Sequence, residues 1–185
     1  TTVDAPLSVV INEIHFDADV KTELVEFVEL YNAGAEAADL SLWHFSNGID
    51  YTFPIGTVLA PGEFVVVSQS PAALQAKYGA TSLGPYAGNL ASDGETITLR
   101  NAIGEVQDEV DYQMGFPWPT VGEAPGYSIE LINPALDNDL GGSWRSSRGA
   151  EVTGGMLFNS GESWKYFKGT QEPSAAGVWR TKDFD

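Results

Sequence analysis

The sequence predicts an all-β sandwich with one short helix. Short apolar or alternating segments recur along the chain, and Gly, Pro, Asn and Asp punctuate them. The chain is also long enough, at 185 residues with 43% hydrophobic and 11% aromatic content, to close a packed core around such strands.

The elements follow in order. Ser8 to Phe16 forms the first strand, with Val10, Ile14 and Phe16 expected on one face. Leu24 to Asn32 is the second, where Val28 and Leu30 alternate with Phe27, Glu29 and Tyr31. Ser41 to Phe45 centres on Trp43, and Asp50 to Phe53 follows the Asn47-Gly48 pair, which suits the positive φ angles of a tight hairpin. The Ala60-Pro61-Gly62 turn leads into Glu63 to Gln69, whose Phe64-Val65-Val66-Val67 run reads as a buried strand. A helix starts there: Ser70 caps it, Pro71 fits its first turn, Gly79 ends it, and Leu74 and Tyr78 share a face. Glu95 to Arg100, Glu105 to Tyr112 and Tyr127 to Ile132 complete the strands. The expected core is Val28, Leu30, Trp43, Val66, Ile97, Leu99, Val110, Ile129 and Leu131. Strands at this spacing with a single helix favour a sandwich over a parallel α/β sheet.

Charge and composition narrow the function. Nine Lys and Arg stand against 26 Asp and Glu, a formal charge of −17. Such a chain repels nucleic acid and anionic lipid surfaces, so no nucleic-acid partner and no membrane insertion are expected. No apolar run approaches the roughly 20 residues of a membrane helix. With no cysteine, disulfides, thiolate metal sites and thiol catalysis are excluded.

The composition shifts near Gly154-Gly155. Before Phe158 the basic residues are only Lys21, Lys77, Arg100, Arg145 and Arg148, whereas from Phe158 onward the charges balance. That tail carries Trp164, Tyr166, Phe167, Trp179 and Phe184 in too few residues to bury them. Two units are therefore expected, residues 1–157 as one domain and residues 158–185 as the truncated start of a following module.

Several ordered landmarks resemble one family. Ile11-Asn12-Glu13-Ile14, Phe27-Val28-Glu29-Leu30-Tyr31-Asn32 and Leu40-Ser41-Leu42-Trp43 are similar to the opening of a bacterial lamin-tail domain. Phe53-Pro54, Leu59-Ala60-Pro61-Gly62-Glu63, Asp93-Gly94-Glu95, Gly104, Val110-Asp111-Tyr112 and Gly126-Tyr127-Ser128-Ile129-Glu130-Leu131 continue it. The resemblance spans roughly Leu7 to Ser147. It implies an immunoglobulin-like sandwich carried in large secreted or cell-surface bacterial proteins, beside hydrolases or adhesion modules, and it implies no catalytic residue. In the tail, Ser163-Trp164-Lys165-Tyr166, Trp179-Arg180 and Asp183-Phe184-Asp185 resemble the start of a β-sandwich module found after such domains.

The candidate chemistry is weighed against this background. His15 and His44 alternate with apolar strand residues and sit beside no Gly-x-Ser-x-Gly elbow, so neither reads as catalytic. Glu13 and Glu29 lie within strands and are expected to bond backbone or neighbouring strands. A hydrolytic reading would need a concave pocket holding a histidine and a carboxylate. Asp17-Ala18-Asp19 and the loop Asp137, Asn138 and Asp139 offer oxygens that suit a hard cation, so any calcium, bound weakly, is expected at the latter; otherwise no cofactor is expected. Asx-rich turns also bond their own backbone in this way. Phe116-Pro117-Trp118-Pro119 is an aromatic loop, and Trp118, Phe116 and Tyr86 are the candidate platforms for a glycan, although a Trp between prolines can equally seal the core. The expectation is a non-catalytic interaction or spacer module that contacts neighbouring domains or other proteins, with carbohydrate binding as the alternative.

Overall fold

A computed structural model describes residues 9–119 and 126–147. The chain divides into a unit spanning Thr1–Gly149, which holds every described element, and a second spanning Ala150–Asp185. The expected truncated module at residues 158–185 lies outside the described residues.

Within the first unit the strands are β1 (Val9–His15), β2 (Phe27–Asn32), β3 (Ala38–Asp39), β4 (His44–Asn47), β5 (Tyr51–Thr52), β6 (Val58–Leu59), β7 (Phe64–Ser68), β8 (Gly94–Arg100), β9 (Val106–Gln113), β10 (Ile129–Leu131) and β11 (Trp144–Ser146). The helix α1 runs Pro71–Tyr78. A five-stranded antiparallel sheet has the order β11-β10-β1-β2-β7, a four-stranded one the order β5-β4-β8-β9, and β3 pairs with β6. The inner faces of the two larger sheets enclose one core of Ile11, Ile14, Val28, Leu30, Phe45, Phe53, Val67, Ile97, Leu99, Val110, Tyr112 and Ile129. The molecule is the all-β, immunoglobulin-like sandwich with one short helix that the sequence predicts.

The local chemistry explains the punctuation. The Ser70 hydroxyl accepts the Ala73 amide at 3.3 Å, and Gly79 closes the helix in the left-handed region at φ 71°. Gly48 turns the β4–β5 hairpin at φ 79°, where a Cβ would stand 2.9 Å from the Ile97 side chain, so both conformation and space demand glycine.

Three sequence expectations change. In β1, Ile11 pairs with Leu30 while Glu13 pairs with Glu29, so Asn12 is an extra residue on that strand. The bulge reverses the alternation, putting Val9 and Ile11 on the inner face before it and Ile14 after it; Val10 therefore does not share a face with Ile14. Trp43 is half-buried rather than central, because Leu40 to Trp43 forms a turn and the strand begins one residue later; Phe45 takes the core position. Val66 lies on the outer face of its sheet, where it packs with Leu74 of α1, Phe27 and Ala80.

The Asp108 side chain ties the two large sheets together. It is 3% exposed, and its Oδ2 accepts the Ile11 amide of β1 at 2.6 Å and the Asn138 side-chain amide at 2.8 Å. Burial pushes its carboxyl up to about 6 despite these donors.

The packing sets an ordered pair of stabilities. Phe53→Ala, at a fully buried ring, should cost about 3–5 kcal/mol, and Trp43→Ala distinctly less. Urea denaturation of the two variants checks the order, and a Trp43 loss equal to or above that of Phe53 would place the tryptophan back in the core.

Candidate functional site

The outer face of the five-stranded sheet carries an unusual row of side chains. Cross-strand partners share a face, so the register aligns Arg145 of β11, Glu130 of β10, Glu13 of β1, Glu29 of β2 and Val66 of β7 straight across the sheet. Three carboxylates thus stand side by side. Like charges directly opposite each other are unfavourable, and each of these glutamates is held by a donor. Arg145 donates to Glu130 Oε2 through Nε at 3.1 Å and Nη2 at 3.0 Å. The Asn12 side-chain amide donates to Glu29 at 2.9 Å, so the bulge residue itself supports the row. The Ser128 hydroxyl donates to Glu13. Glu13 remains perturbed: burial first, then the charges of Glu29 and Glu130, push its carboxyl up to about 7. Burial also raises Glu29 above the usual carboxylate range.

Two depressions flank the row and share Glu13 and Glu29. One, of about 480 Å³, is lined by Tyr31, Phe64, Glu130 and Arg145 among others; Tyr31 and Phe64 lie with ring centroids 4.7 Å apart, and Phe64 is exposed. The second, of about 300 Å³, lies between the sheet and α1 and is lined by His15, Phe27, Val66, Leu74, Tyr78, Ala80 and Ser128 among others. There His15 stacks on Phe27 at 5.2 Å, and its Nε2 lies 3.5 Å from the Tyr78 hydroxyl. His15 is 2% exposed, and its Nδ1 is the one buried side-chain polar atom without a hydrogen-bond partner among the described residues. Burial lowers its proton affinity, so the ring is neutral at neutral pH. The helix is pinned over this cleft by Lys77, which bonds both Asp19 and Glu23.

This second cleft does hold a histidine and a carboxylate, the arrangement a hydrolytic reading would need. The groups are not linked as nucleophile and base, however. Ser128 is 3% exposed and gives its proton to Glu13, while His15 faces Tyr78. His44 Nδ1 lies 3.4 Å from the Leu42 carbonyl.

The residues singled out from the sequence are placed elsewhere. The exposure expected of Trp118 and Tyr86 is not found, at 7% and 5%. Trp118 packs 6.0 Å from Trp144 and so closely over Gly141 that a Cβ there would meet its backbone nitrogen at 2.8 Å. Tyr86 turns its hydroxyl to Glu26 at 3.3 Å. Gly141 leaves room for the Trp118 ring, and the Glu26 carboxylate accepts the Tyr86 hydroxyl. Phe116 is 97% exposed and stands apart from both. Asp137, Asn138 and Asp139 do not converge. Asp137 accepts the Asp139 amide at 3.1 Å, whereas the Asn138 side chain reaches Asp108 and its carbonyl accepts the Trp144 indole at 2.8 Å. No cluster of three acidic or histidine side chains suited to a metal occurs among the described residues.

The sequence reading missed Glu130, Arg145 and the Tyr31–Phe64 pair. Alternation marks each as outward-facing, but only cross-strand register places them together.

Two outcomes follow. Glu13 keeps its proton in the folded state over a pH range where the unfolded chain has lost it, so stability falls as pH rises from about 4.5 to about 7. Glu13→Gln should therefore raise stability at pH 8 by about 1–2 kcal/mol, allowing for partial exposure, and change nothing below pH 4; thermal melts across that range check it. Trp118→Ala should cost about 3 kcal/mol in the same assay, since the ring seals one end of the core.

The fold agrees with a known family. The model of the Lamin Tail Domain matches residues 2–114, the span from β1 through β9. β10 and β11, which contribute Glu130 and Arg145, lie beyond the matched span and complete the same sheet. Comparison with curated proteins returns no match. With more than half of its length matched and the sandwich in place, the chain belongs to the lamin tail domain family.

Proposed function

We propose that this chain is a non-catalytic interaction module of a larger secreted or cell-surface bacterial protein, and that it meets its partner through the outer face of the five-stranded sheet. The observation that carries the reading is the glutamate row flanked by two depressions, on a face where half-buried carboxylates have been kept at a cost in stability. Polar groups that burden a fold without serving its core are a mark of binding surfaces. Family membership supports the non-catalytic part, since immunoglobulin-like modules of this kind present surfaces rather than reacting groups. Calcium at Asp137 and Asp139 has no geometric support and does not enter the reading.

Carbohydrate binding is the second reading, on one observation. Tyr31 and Phe64 offer adjoining, mutually tilted aromatic surface beside Glu29, Glu130 and Arg145, the pairing of apolar ring faces with planar hydrogen-bonding groups that suits sugar rings.

The test is an NMR titration of the isotope-labelled module with the neighbouring domains of its parent protein, alongside a glycan array. Shifts confined to β1, β2, β7 and β10 support the protein interface. Shifts confined to the opposite sheet overturn it, and glycan binding lost in Tyr31→Ala transfers the face to the second reading. Turnover of an ester, glycoside or phosphoester that disappears in His15→Ala would overturn the non-catalytic assignment.

A further inference from the structure

We propose that the cleft between α1 and the outer sheet face seats the lysine side chain of a partner polypeptide. The inference rests on the interaction reading above and gives the site its ligand.

Charge accounting makes the first argument. The described residues include four cationic side chains, and each is occupied elsewhere: Lys21 on Asp17, Lys77 on Asp19 and Glu23, Arg145 on Glu130, and Arg100 on Ser46 and the Gly104 carbonyl. Glu13 and Glu29 therefore stand adjacent with no described cation against either. Each uses one oxygen, Oε1, on an internal donor, and the other is free to accept. Among the described residues this pair lacks a cation, and a ligand's ammonium would supply one.

The second argument is independent of charge. His15 is buried and lines the same cleft, yet its Nδ1 has no partner. Buried polar atoms are almost always satisfied, so an orphan beside a cavity marks a place where a ligand donor belongs. In the neutral tautomer that carries its proton on Nε2, Nδ1 presents a lone pair. A primary ammonium has three N–H donors. Glu13, Glu29 and His15 supply three acceptors around one depression.

The third argument is shape. The cleft holds about 300 Å³, at the lower end of the about 300–1,000 Å³ typical of ligand pockets. Its apolar walls are Val66, Leu74 and Ala80, which suit a methylene stem, beside the Phe27 ring that stacks on His15. An apolar stem ending in an ammonium matches that division.

The groups around Glu13 also set a pH dependence. It is faced by Glu29 from β2, Glu130 from β10 with Arg145 behind it, His15 from its own strand and Tyr78 from α1, with Asp19 and Lys77 beyond His15. A bound ammonium favours the ionised carboxylate, so affinity should rise from pH 6 to pH 8.

The experiment is an NMR titration of the full chain with end-blocked, glycine-flanked pentapeptides whose central residue is lysine, arginine or norleucine, and with a free blocked lysine. The lysine peptide should shift the amides of His15, Phe27, Glu29 and Ser128, bind about tenfold more tightly than the norleucine peptide, and lose about tenfold in Glu29→Gln. Its pH dependence should flatten in Glu13→Gln. A norleucine peptide that binds equally well, or a Glu29→Gln chain with undiminished affinity, overturns the proposal. The peptide comparison uses the unaltered chain, so it decides even if a variant fails to fold. A free lysine derivative that binds as tightly as the peptide reassigns the cleft to small amines and overturns the polypeptide source. If the lysine peptide fails while neighbouring domains still perturb this face, the lysine assignment falls and the interaction reading stands; if neither perturbs it, both fall.

Discussion

The contact on which the rest of the structure depends is the hydrogen bond from the Ile11 amide to the buried carboxylate of Asp108. Bulging β1 at Asn12 takes the Ile11 amide out of a regular ladder, and a buried amide without a partner costs about 1–3 kcal/mol. Asp108 satisfies it from β9 of the opposite sheet. One carboxylate thereby makes the bulge tolerable and joins the two layers. The bulge in turn decides what faces where. It lets Ile11 and Ile14 both point inward, and it leaves Glu13 and His15 on the outer face. Without the added residue, the half of β1 beyond it would turn its apolar side to solvent.

Much of this architecture is legible in the sequence because local chemistry dictates it. The helix is written in Ser70, Pro71 and Gly79, and the structure uses each of them as capping rules require. The strands richest in alternating apolar residues, such as Val106–Gln113, are found within a residue of their expected bounds. The failures share one cause. A bulge has no sequence signature in Ile11-Asn12-Glu13, so the face of Val10 is misjudged. The two-residue strands β3 and β6 are too short to show any period. Trp43 outweighs Phe45 in size and hydrophobicity, yet a turn from Leu40 sets the tryptophan at the rim. β11 passes unread because three residues carry no pattern of their own.

The site is less legible still, for a physical reason. Glu13 and Glu29 stand out in their strands, but Glu130 lies about a hundred residues further on, and nothing in its neighbourhood says which strand it will border. The same holds for Arg145. The aromatic loop at Phe116 to Pro119 drew notice because its residue types resemble a binding surface. Tyr31 and Phe64, which do share an open groove, are separated in sequence and look like ordinary strand residues. Pairing register, not composition, brings binding groups together on a sheet.

The row across the outer face takes one residue from each of five strands, and apart from the bulge residue Asn12 the immediate neighbours in those strands face the other way. Apart from Val66, which packs against α1, the row takes no part in the interior. Ile14, Val28, Val67 and Ile129 keep the layers together whichever side chains stand at positions 13, 29, 130 and 145. A module built like this has a rewritable address separated by one backbone thickness from the machinery that folds it. Copies of such a module along a single chain can each carry their own spelling while the scaffold beneath stays unchanged.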